Sequence, residues 1–125
     1  MKIFLVEDSI PIRQRLVEMI EANGLHSVVG EADNFEDALA GISRSRPDVA
    51  IFDIKLARGN GIHALAEAKR RQPDLRGIVM SNYTTPQHRK ASADAGADYF
   101  LDKSVDFERI TEILSLLNNG QAGSR

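Results

Sequence analysis

Pro47-Asp48-Val49-Ala50-Ile51-Phe52-Asp53 is the stretch from which the fold of this 125-residue chain is read. Val49 to Phe52 is an unbroken apolar run, short, β-branched at two positions, and closed at Asp53 by a charge. It offers no polar face to water, so it reads as a strand buried on both sides. Such strands belong to parallel sheets covered by helices on both faces. Pro47 ends the helical pattern before it.

Outward from there the pattern repeats. Ile3-Phe4-Leu5-Val6 stops at Glu7-Asp8, and Gly77-Ile78-Val79-Met80 ends at Ser81. His26 to Gly30 reads as the second strand in chain order, and Tyr99-Phe100-Leu101, running to Lys103, as the fifth. Between strands the apolar period lengthens to that of a helix. Ser9 caps the first helix, Pro11 occupies its first turn, and Ile12, Leu16, Met19 and Ile20 form its stripe until Asn23-Gly24. Asn34 caps the second, with Phe35, Leu39 and Ile42 on one face. Ala57-Arg58-Gly59-Asn60-Gly61 is a loop; a helix from about Ile62 to Gln72 follows, then a turn at Pro73-Asp74. Thr84-Thr85-Pro86 opens a fourth helix that Gly96 closes, and residues 106–119 form a strongly apolar fifth. Right-handed crossovers bring all five strand C-terminal ends to one edge, where ligands bind in such sheets. A single domain is expected over 1–119, with an aperiodic, loose tail over 120–125.

Composition narrows the function. Sixteen Lys and Arg against eighteen Asp and Glu give a net charge of -2, so no global basic field points to nucleic acid or an anionic membrane. The absence of cysteine excludes disulfides, thiolate zinc sites and Cys nucleophiles together. No apolar run approaches the roughly 20 residues of a membrane span, and the N-terminal run is too short for a signal-peptide core. The cytoplasm is the expected compartment.

The polar residues that follow the strands are Glu7-Asp8, Glu31, Asp53, Ser81 and Lys103. Neighbouring carboxylates resist ionising together unless a cation sits among them. Hard oxygen ligands with room for water suit Mg²⁺. A hydroxyl and an ammonium facing that cluster complete a cradle for a phosphoryl group.

With these residues in place, the chain resembles the receiver domains of two-component response regulators. The resemblance covers about Lys2 to Leu117. It is carried by Leu5-Val6-Glu7-Asp8, Pro47-Asp48-Val49 through Asp53, Gly59-Asn60-Gly61, Ser81, and Ala95-Gly96-Ala97-Asp98 running into Lys103. It implies an α/β, flavodoxin-like doubly wound sheet of five parallel strands in the order 2-1-3-4-5. It implies Asp53 as phosphoacceptor, taking the phosphoryl group from a sensor histidine kinase or a histidine phosphotransfer protein. Glu7 and Asp8 would hold Mg²⁺ directly or through water, with Asp53 and the backbone carbonyl of Lys55 as further ligands. Ser81 and Lys103 would each meet a phosphoryl oxygen. Beyond self-catalysed phosphorylation and dephosphorylation, no enzymatic activity is implied. Two departures from the family pattern stand out. Ser104 follows Lys103 where many receivers have a proline in a cis bond, which costs about 2.5–4 kcal/mol before any other residue. Lys55 places a cation two residues after the phosphoacceptor.

The resemblance also implies a switch, with the Ser81 hydroxyl moving toward the phosphoryl group and the strand-five aromatic, Phe100, turning inward behind it. Tyr99 points to the opposite face. The fourth helix offers only Ala91, Ala93 and Ala95 as anchors, which suits a moving part. In the last helix Phe107, Ile110, Leu114 and Leu117 make the core stripe, and Ile113 and Leu116 widen it. That surplus is either core or a contact surface for a homodimer or a downstream protein. The surface expected to change is formed by the fourth helix, fifth strand and fifth helix.

Plainer readings account for other features. Lys69-Arg70-Arg71 reads as a solvated helix end favoured by the dipole. His26, His63 and His88 lack metal-ligand spacing. Gly59-Asn60-Gly61 lacks the Lys-Ser/Thr of a phosphate loop. Two functional alternatives are a phosphatase of the haloacid-dehalogenase type and a pseudo-receiver that binds partners without being phosphorylated. The first needs an Asp-x-Asp after the first strand, whereas Asp53-Ile54-Lys55 follows the third. The second would have lost an acidic or lysine position, and none is missing. The chain reads as a stand-alone receiver or as the receiver of a longer, DNA-binding regulator, with a downstream protein or output domain as target and no direct nucleic-acid contact by these residues.

Overall fold

The computed structural model describes residues 1–120; of the tail expected over 120–125, residues 121–125 lie outside them. The elements run β1 (Lys2–Val6), α1 (Ile10–Glu21), β2 (Ser27–Ala32), α2 (Phe35–Ser45), β3 (Val49–Phe52), α3 (Gly61–Arg71), β4 (Arg76–Ser81), α4 (Pro86–Asp94), β5 (Tyr99–Asp102) and α5 (Arg109–Asn118). The strands form one parallel sheet in the order β2-β1-β3-β4-β5.

Alternation along the strands divides the core in two. Ile3, Leu5, Val49, Ile51, Ile78, Met80 and Leu101 face α1 and α5, meeting Leu16, Ile20, Ile110, Ile113, Leu114 and Leu117. Phe4, Val6, Ala50, Phe52 and Val79 face the other way, against Leu39, Ile42, Leu65 and Ala68 of α2 and α3. The caps are the expected ones. Ser9 Oγ accepts from the N–H of Ile12, Asn34 Oδ1 from that of Asp37, and Thr85 Oγ1 from that of His88.

Several boundaries differ from the sequence reading, each for a physical reason. β2 lies at Ser27–Ala32 rather than from His26 to Gly30 and carries an extra residue at Val29, because Ile3 pairs with Val28 while Phe4 pairs with Gly30. α5 starts at Arg109 rather than at Asp106, because the Asp106 carboxylate folds back to accept from the N–H of Asp102 at 3.0 Å. Of the two residues that widen the α5 stripe, Ile113 is fully buried and belongs to the core, while Leu116 is half-buried. Of the three alanines expected to anchor α4, Ala95 at its C-cap packs partly against the core while Ala91 and Ala93 are exposed, and the buried side chain within the helix is Ser92, whose hydroxyl donates to the carbonyl of His88. Every peptide bond among the described residues is trans, Lys103–Ser104 included.

Candidate functional site

The parallel ladder continues one residue past the strands and sets the site. The N–H of Glu7 donates to Ala32 O, that of Asp53 to Val6 O and that of Lys103 to Ser81 O, each at 2.9 Å. The first residues beyond β1, β3 and β5 are thereby held level at the C-terminal edge of the sheet. A second contact fixes Asp53 from behind. The α-carbon of Gly61 lies against the Asp53 carbonyl with no space for a Cβ, so α3 starts directly on the loop that carries the carboxylate.

Lys103 Nζ bridges two carboxylates, lying 2.8 Å from Glu7 Oε1 and 2.9 Å from Asp53 Oδ2. The remaining oxygens are also engaged: Asp53 Oδ1 accepts from the N–H of Ile54 at 2.8 Å, and Glu7 Oε2 from that of Ser9 at 3.0 Å. All three charged groups are largely withdrawn from water. Burial raises the Glu7 pKa above the ordinary carboxylate range; the bond from Lys103 opposes this, and the charge of Asp53 adds to it. Burial works against the charged form of Lys103, but its bonds to Glu7 and Asp53 outweigh this and hold its pKa above the usual value.

Asp8 differs from Glu7. It is exposed, yet its carboxylate comes within 4.8 Å of those of Glu7 and Asp53, and the three make a cluster able to hold a metal ion. Around them opens a cleft of about 300 Å³, lined also by Ser9, Ile12, Lys55, Asn82, Tyr83 and Lys103. Lys55 is exposed at its mouth. Ser81 is fully buried behind the wall, its Oγ accepting from the N–H of Tyr83 at 2.9 Å. Phe100 sits apart from the cleft, packed partly against the α2–α3 side of the core, with the Arg89 guanidinium 4.6 Å over its ring.

The sequence-selected residues Glu7, Asp8, Asp53 and Lys103 thus converge, with Lys55 at the rim and Ser81 one layer behind. Asn82 and Tyr83 are lining residues the sequence reading missed. The run Lys69-Arg70-Arg71 is accounted for structurally, since Arg70 and Arg71 bond Glu67 and Lys69 bonds Gly96 O and Asp98.

The family described as response regulator receiver domain matches residues 3–115. The chain is 36% identical over 104 residues to the DNA-binding transcriptional activator DevR/DosR of Mycobacterium tuberculosis, covering 83% of this chain and 48% of that protein. It is 35% identical over 108 residues to the protein-glutamate methylesterase/protein-glutamine glutaminase of Pseudoalteromonas atlantica, covering 84% and 28% respectively. It therefore spans about half or less of these two relatives. Among solved structures, the response regulator domain of Thermotoga maritima CheB superposes with a TM-score of 0.81 at 26% identity, covering 95% of this chain and 94% of that one. A two-component response regulator of the LuxR family from Aurantimonas sp. SI85-9A1 superposes at 0.89 with 22% identity over 97% of this chain and 86% of its own, a likeness of fold. No helix among the described residues is long and apolar enough to cross a membrane.

Proposed function

Since this chain belongs to the response regulator receiver family, we propose that it takes a phosphoryl group onto Asp53 from a phosphohistidine on a sensor histidine kinase or phosphotransfer protein. The observation that carries this is the seating of Asp53: a buried carboxylate pinned by the N–H of Ile54 and the ammonium of Lys103, at the floor of an open cleft. An Asp53 oxygen attacks phosphorus in line, the bond to the donor nitrogen breaks, and Lys103 pairs with a phosphoryl oxygen. Positioning and charge neutralisation are most of what this transfer asks of a protein. Ser81 accepts one hydrogen bond from Tyr83 and has its own hydroxyl proton to give to a second phosphoryl oxygen.

The donor set fits magnesium. Glu7, Asp8 and Asp53 offer hard oxygens within 4.8 Å of one another, on the open side of the cleft where Asp8 meets solvent. The Lys55 carbonyl would complete the set. Bound there, the ion supplies positive charge between the phosphoryl group and the carboxylates, which Lys103 alone must otherwise balance.

Phosphorylation in this reading draws Ser81 toward the cleft and lets Phe100 turn inward, releasing Arg89. The surface of α4, β5 and α5 then changes for a downstream protein, an output domain or a second copy of the chain. The reaction belongs in the cytoplasm, and the domain turns over no small-molecule substrate of its own. The test is intact mass after incubation with Mg²⁺ and acetyl phosphate. One phosphoryl adduct is expected, absent in Asp53→Asn and absent when EDTA precedes the donor. Failure of the wild type to gain an adduct or to bind beryllofluoride would leave the pseudo-receiver reading in its place.

A further inference from the structure

At the edge of the sheet opposite Asp53, the C-terminal ends of α2 and α3 enclose a notch of about 80 Å³. The buried side chains of Leu39, Ile42 and Ala68 give it an apolar floor, and the exposed Arg46 and Arg71 stand at its rim. Arg46 caps α2 at a φ of 46°, the one positive φ outside glycine among the described residues. Glycine is the usual occupant of such a position, and any side chain there strains the backbone. Nothing in the fold offsets that strain, since the Arg46 side chain makes no ion pair or hydrogen bond among the described residues. Arg71 donates its Nε to Glu67 at 2.7 Å, and its terminal nitrogens make no bond among the described residues. Gln72 lines the same notch. Its Nε2 donates to the Pro47 carbonyl at 2.9 Å, which fixes the amide, while its Oε1 is buried with no donor among the described residues. The helix dipole accounts for cations at these ends, but not for an unmet acceptor beside them.

We propose that this notch docks an acidic segment of another protein, in extended form, with one small aliphatic side chain flanked by carboxylates. Each feature selects a different part of that segment. The apolar floor takes the aliphatic side chain, for which the volume is suited. Arg46 and Arg71 pair with the carboxylates on either side of it. Gln72 Oε1 accepts a backbone N–H, which every peptide residue except proline offers. As the two long, exposed arginines part to take the carboxylates, the segment reaches the acceptor beneath them. A nucleic-acid strand would answer the arginines alone, because phosphates suit neither an apolar floor nor a buried acceptor. The neighbouring surface sets the direction of approach. A second hollow of about 340 Å³ shares Arg46 and Gln72 with the notch and carries Asp48 and Asp74, which repel carboxylates. The segment therefore lies across α2 and α3 rather than beneath the sheet. The notch and the Asp53 cleft stand at opposite edges of the sheet, so both can be filled at once.

The test is fluorescence anisotropy at low ionic strength, with the 125-residue chain titrated into a fluorescein-labelled peptide, Glu-Glu-Val-Glu-Glu with a blocked C-terminus. Saturable binding is expected. Arg46→Gly suits the left-handed cap, so its thermal midpoint is expected to equal or exceed that of the wild type. Its affinity for the peptide is expected to fall about fivefold, the scale of one ion pair, and Arg71→Gln to show a similar loss. A peptide with glycine in place of valine is expected to bind about fivefold more weakly, reporting the apolar floor. Methylation of the valine nitrogen keeps every charge but removes the proton offered to Gln72, and about a fivefold loss is expected again. Affinity unchanged by Arg46→Gly, or unchanged by both peptide modifications, would overturn the proposal. So would the absence of binding by the wild type. Tighter binding of an oligothymidylate of equal charge would overturn it in favour of a nucleic-acid contact.

Discussion

Lys103 neutralises two buried carboxylates that arrive from different strands, so its removal leaves Glu7 and Asp53 facing each other without a counter-charge. Breaking a buried pair from one side strands the remaining charge, and Lys103→Met is expected to lose about 3 kcal/mol in a urea titration without divalent cations. Magnesium should then raise the midpoint of the variant more than that of the wild type, because the ion meets two unpaired carboxylates. A second residue ties stability to pH away from the site. His26 is buried, and burial first, with the neighbouring amino group of Met1 second, lowers its pKa. A lowered histidine pKa means that the unfolded chain binds the proton more readily. The contribution is therefore intact above the unfolded value of about 6.5 and is lost as pH falls below it. The stability difference between wild type and His26→Gln, followed by thermal melts, should shrink or reverse on going from about pH 7.5 to about pH 5.5. At this scale the carboxylates and Lys103 were legible in the sequence, since Glu7 and Asp53 end apolar runs and Asp8 and Lys103 stand one residue further on. Tyr83 was not: a lone exposed aromatic has no periodicity to mark it.

α4 is the element least attached to the molecule. Its one buried side chain is a serine, while α3 buries Ile62, Leu65 and Ala68, and α5 buries two leucines and two isoleucines. Its amides should exchange before those of α3 and α5 in a hydrogen-exchange series. Arg89 adds a tie that composition does not announce, spanning from the Thr84 carbonyl to the Phe100 ring. At the other end of the range, the start of α3 admits no added atom. Gly61→Ala is expected to cost about 1–3 kcal/mol by denaturant titration and to slow phosphorylation, because α3 must back away from the loop carrying Asp53. Element identity and order followed from alternating periods and caps. The displaced ends had causes invisible to pattern: the carboxylate of Asp106 reaching back to Asp102, and an additional residue at Val29 in an edge strand.

On the scale of the whole molecule, one sheet separates two apolar layers that share no side chains. Leu65→Ala and Leu114→Ala empty opposite layers, each fully buried. Each is expected to cost about 2–5 kcal/mol, and the double variant about their sum, within about 0.5 kcal/mol in urea. Strand adjacency was legible only through family likeness, since five buried strands of similar composition do not state their order. The ion pairs of Lys103 bridge 96 residues to Glu7 and 50 to Asp53. The cluster is therefore assembled from both ends of the polypeptide. While the chain is still being synthesised, Asp53 has left the ribosome long before the lysine that will neutralise it. Until β5 has emerged and docked, the nascent protein holds Glu7 and Asp53 without the ammonium that balances them, so the charge of this edge is settled only when the last strand arrives.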